Sequence, residues 1–135
     1  MGAIFGQVSF CGTVCSDRRA RDAASVEMPR KTELRWISDE ARAKIAVRGG
    51  QQGSVTGSKN IAVALDGCLH ARSDLQAWLS MTGPENDANM VALAWQRLGC
   101  SAPEKLFGDY ATAIHEPDQN RLTLVRDHVG SRPLY

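Results

Sequence analysis

Apolar positions along this 135-residue chain fall into two rhythms, and each rhythm predicts a different kind of element. AIFGQVSF (residues 3–10) is dense in strand formers and stops at Cys11-Gly12, which predicts a buried opening strand. Residues 16–40 are polar and charged, contain Pro29 and hold no sustained period, so they predict mainly loop with one short helical turn. AKIAVRG (43–49) alternates as a second strand, and GGQQGSVTGSKN (49–60) predicts a flexible connection. NIAVALD (60–66) is a compact apolar strand, with a turn expected at Gly67.

The rhythm then changes. Ser73 is placed to cap a helix whose Leu75, Trp78 and Leu79 share one face at i, i+3, i+4 spacing, ended by Gly83-Pro84. In the next helix Asn86 is the N-cap, Asp87 favours the positive end, and Val91, Ala94, Trp95 and Leu98 form one apolar stripe up to Gly99. Trp78 and Trp95 are expected as core anchors. Asp109–Glu116 and Arg121–Arg126 read as two strands joined by the turn sequence Pro117-Asp118-Gln119-Asn120, an antiparallel hairpin. Two helices set between groups of antiparallel strands predict a layered sheet-and-helix domain, not a βαβ array. No glycine-rich phosphate loop is present.

Composition narrows the function classes. One domain of this length buries roughly two-thirds of its unfolded surface, so its core needs no metal or disulfide. With 16 basic and 15 acidic residues, the net charge of +1 gives no footprint for nucleic acid. Arg18, Arg19 and Arg21 are interrupted by Asp17 and Asp22, as in a solvated loop. No apolar run reaches the ~18 residues of a membrane span, and no signal-peptide pattern precedes the first strand. Met1-Gly2 lacks the Ser or Thr at position 6 that myristoylation wants, because Gly6 stands there. Cys11, Cys15, Cys68 and Cys100 form no CxxC pair, and His70, His115 and His128 are scattered, so no metal site is expected. Without an export signal the cytosol is the expected compartment, with these thiols reduced.

Five segments, in order, carry a resemblance. They are Met1-Gly2-Ala3-Ile4-Phe5-Gly6; Leu65-Asp66-Gly67-Cys68 with Leu69-His70-Ala71-Arg72-Ser73-Asp74-Leu75; Asn86-Asp87-Ala88-Asn89; Leu106-Phe107-Gly108-Asp109-Tyr110-Ala111; and Leu124-Val125-Arg126-Asp127-His128-Val129-Gly130-Ser131-Arg132-Pro133-Leu134-Tyr135. Together they resemble the N-terminal, glutaminase-type domain of the asparagine synthetase family. The last segment is the specific one: Arg-Asp, two residues, Gly, one residue, then a basic residue, Pro, Leu and Tyr after a strand. The other segments gain weight from their order and spacing, and the resemblance spans nearly the whole chain.

The resemblance implies an α+β fold, the αββα four-layer sandwich of N-terminal-nucleophile (Ntn) hydrolases with antiparallel sheets. It also implies residues 1–135 as a single glutaminase-like domain, with an ATP- and Mg²⁺-using synthetase domain expected after Tyr135. In such enzymes the nucleophile is a cysteine exposed by methionine removal, whose own α-amine, of pKa near ~8, acts as base. Here Gly2 occupies that position, and no catalytic residue is expected. Cys11 cannot replace it, since nine strand residues at ~3.3 Å each place it roughly 30 Å away.

The former substrate pocket maps onto Asp66, Gly67, Cys68 and Asp87. Asp66 stands where the family's Asn serves the oxyanion, and an ionised carboxylate repels developing negative charge. Cys68 stands where a Glu grips the glutamine ammonium. The family's Arg-Gly-Pro-Asp motif has no counterpart here. Arg126, Asp127, Gly130, Arg132 and Pro133 are expected at a domain interface or in a tight exit turn. Residues 66–75, which keep Asp66, Gly67, Arg72 and Leu75 of an Asp-Gly-Arg-x-x-Asn-Arg-x-x-Leu pattern, are nearest in style to β-lactam synthetases and lasso-peptide cyclases, family members that have lost this cysteine. The first expectation is therefore a vestigial domain supporting an ATP-dependent amide-forming enzyme, with the synthetase domain and possible precursor peptide as partners. A working glutaminase domain and a non-catalytic module for peptides or metabolites are the alternatives.

Overall fold

The computed structural model describes residues 3–8, 34–38, 43–48 and 53–134. Seven strands and two α-helices lie within them. In chain order these are β1 (Ala3–Val8), β2 (Leu34–Ser38), β3 (Ala43–Arg48), β4 (Gly53–Ser58), β5 (Ile61–Leu69), α1 (Arg72–Leu79), α2 (Asp87–Leu98), β6 (Gly108–Glu116) and β7 (Arg121–Arg126). A 3₁₀ segment, Gly99–Lys105, links α2 to β6.

The strands form two antiparallel sheets, ordered β1-β3-β2 and β4-β5-β6-β7. The period of two along β5 divides its side chains between two cores. Ile61, Val63, Leu65 and Leu69 pack under the helices with Leu75, Leu79, Met90, Val91 and Trp95. Ala64, with Ala113 from β6, faces the other way and meets Ile45, Val47 and Ile4 of the three-stranded sheet. Helices, four-stranded sheet and three-stranded sheet are three layers of the α+β sandwich that the Ntn-hydrolase fold requires.

Two strands occupy segments whose composition predicts loop. β2 lies within residues 16–40, and β4 lies within the glycine- and serine-rich connection. Both are arms of hairpins, β2 paired with β3 and β4 with β5 across the two-residue turn Lys59-Asn60, so their ladders order segments whose composition alone reads as loop. β4 also has packing reasons to be ordered. Val55 joins the inter-sheet cluster, and the Ser54 hydroxyl accepts the Ala88 N–H at 3.0 Å, so a polar residue serves the start of α2.

Other boundaries move. β5 runs through Gly67 to Leu69 instead of turning there. α1 starts at Arg72 after Ala71, which is left-handed (φ 48°) and makes no side-chain cap, so Ser73 is inside the helix and not its cap. The helix stops at left-handed Ser80, three residues before Gly83. Trp78 is 37% exposed, not a core anchor, because it sits on the flank of the Leu75/Leu79 stripe under the Arg97 guanidinium, 5.5 Å from the ring centroid. Trp95 is buried, Asn86 caps α2 by accepting the Asn89 N–H at 2.8 Å, and the β6–β7 hairpin turns at Asn120. Residues 9–33, including Cys11, Cys15 and the arginine cluster, lie outside the described residues, as do Gly2 and Tyr135.

Candidate functional site

The chemistry-bearing residues gather where β5 ends, β6 begins and the chain leaves β7. Register brings them together: Asp66 opposes Ala111, Gly67 opposes Tyr110, Cys68 opposes Asp109, and Ala111 in turn opposes Arg126. Gly67 makes this possible. Its φ is +117°, and a Cβ there would lie 1.9 Å from the Asp109 carbonyl oxygen, so no other residue permits the strands to approach this closely.

Asp66 is buried on the inter-sheet side, with Arg132 Nη1 3.6 Å from its Oδ2. Burial pushes its carboxyl above the ordinary range, while the positive charge of Arg132 pulls the other way. Cys68, two residues on, is half-buried and free, its Sγ 3.7 Å from His70 Nε2. The same Nε2 lies 3.9 Å from Asp109 Oδ2. A base relay needs a separate ring nitrogen for thiol and carboxylate, and this arrangement offers one nitrogen to both.

Asp87 is spoken for. Its Oδ2 accepts the Leu69 N–H at 2.8 Å, and its Oδ1 accepts from Arg72 Nη1. The carboxylate thereby ties the start of α2 to the end of β5 and faces the Arg72 guanidinium. Arg72 also donates to the Glu85 carbonyl.

Asp127 is the best-satisfied carboxylate in the region. Oδ1 accepts the N–H groups of Val129 and Ser131, both at 3.0 Å. Oδ2 accepts the Tyr110 N–H at 3.2 Å, the Arg132 N–H at 3.4 Å and the Ser131 hydroxyl at 2.6 Å. Burial alone would raise its carboxyl, but the Ser131 hydroxyl and these N–H groups outweigh it and hold the group well below the usual range. Gly130, at φ +69°, donates its N–H to the Asp127 carbonyl and closes the turn. A Cβ on Gly130 would touch the Arg126 guanidinium. Pro133 is exposed beyond it.

The sequence-derived residues thus divide. Asp66, Gly67, Cys68, Asp127 and Arg132 converge, Asp87 is linked to them through Leu69, and Arg126 and Gly130 form the outer turn. Sequence reasoning took Arg72 only as part of a motif and did not single out His70, Asp109 or Ser131 as site residues. The hairpin register could have placed Asp109 opposite Cys68, whereas nothing local announces the others. Among the described residues no group of three or more His, Cys, Asp or Glu side chains could hold a metal ion, and no helix is long and apolar enough to cross a membrane.

A helix layer over antiparallel sheets, with an Asp-Gly strand end set against an Arg-Asp turn, defines a glutaminase-type domain of the Ntn-hydrolase class. Residues 40–135 match the glutamine amidotransferase domain family, and the chain belongs to that family. A search of curated proteins finds no match.

Proposed function

We propose that this domain keeps the glutaminase scaffold without glutamine hydrolysis and supports an ATP-dependent amide-forming enzyme of the asparagine synthetase kind. Lasso-peptide macrocyclisation is the example that residues 66–75 favour. The carrying observation is the chemistry at the pocket positions. Gly2 stands at the position that the resemblance gives to the nucleophile. Asp66, at the position that the resemblance gives to the oxyanion-serving Asn, is a buried carboxylate. A thiol, Cys68, replaces the ammonium-gripping carboxylate, and Asp87 is already engaged by Arg72 and the Leu69 N–H.

In this reading ATP and Mg²⁺ belong to a synthetase domain, in the same or a separate chain, and a precursor peptide is the candidate substrate. The cytosol suits the free thiols Cys68 and Cys100. Restoring the three changes in steps tests the reading. Gly2→Cys alone is expected to release no ammonia from glutamine, and Gly2→Cys with Asp66→Asn and Cys68→Glu is expected to gain turnover. Equal turnover in the single and triple variants would show that Asp66 and Cys68 do not oppose the reaction.

A further inference from the structure

We draw no further inference here: the strongest candidate, the exposed pair Leu122 and Leu124 on the inter-sheet face of the edge strand β7, is an apolar surface for which nothing among the described residues shows what covers it.

Discussion

Asp66 and Asp127 are both buried carboxylates at the same end of the sheet, yet their surroundings drive them in opposite directions. Asp127 faces five hydrogen-bond donors and is held ionised, whereas Asp66 meets Arg132 at 3.6 Å and is pushed towards its neutral form by burial. One residue serves both: the Arg132 N–H goes to Asp127 and its guanidinium to Asp66. Burial alone does not decide the fate of a charge; the number of donors aimed at it does. Asp127 holds the turn after β7 to the start of β6, and Asp66 is a buried carboxylate with a single cation beside it.

Breaking the shared backbone should have the largest effect. Gly67→Ala forces a Cβ towards the Asp109 carbonyl at a φ that L-residues avoid. It should cost about 3 kcal/mol or more in urea unfolding, combining strain with overpacking. Asp127→Ala comes next, at about 2–4 kcal/mol, because it strands the Tyr110, Val129 and Ser131 N–H groups. Asp66→Asn should stay within about 1 kcal/mol of the parent, since the lost Arg132 attraction is offset by relief from burying a charge. If Asp66→Asn cost as much as Asp127→Ala, the contrast would be wrong.

The pH dependence of stability separates the two aspartates by sign. The folded pKa of Asp127 is depressed, so its contribution is present above the unfolded carboxylate value and lost as the pH falls below it. The folded pKa of Asp66 is raised, so its contribution is present below the unfolded value and lost as the pH rises through the folded one. In chemical denaturation across pH, Asp127→Asn should flatten the acid limb and Asp66→Asn the limb just above it. The smallest effect belongs to Ala71→Gly, which relieves a left-handed alanine. It should stabilise by about 0.5 kcal/mol and leave both limbs unchanged.

What was legible in the sequence was local. Asn86 as a cap, the α2 stripe and the β6–β7 hairpin each depend on residues a few positions apart, and the structure places them as the pattern foretells. β2 and β4 were illegible because their own residues are not strand formers in a clean alternation: GSVTGS carries loop chemistry although it pairs with β5 across a two-residue turn. Gly67 was misread as a turn because a glycine in a strand signals either a bend or a close backbone approach, and only the Asp109 carbonyl tells which. At the site, Asp66, Cys68 and Asp127 stood out through family resemblance. The donors around Asp127 did not, since backbone N–H groups carry no sequence signature.

Ammonia release from glutamine by the unaltered chain probes the central claim most directly. On the proposed function none is expected above the uncatalysed background, because Gly2 stands where the resemblance puts the nucleophilic cysteine. Sustained release that survives removal of contaminating enzymes and disappears on blocking the amino terminus would contradict it.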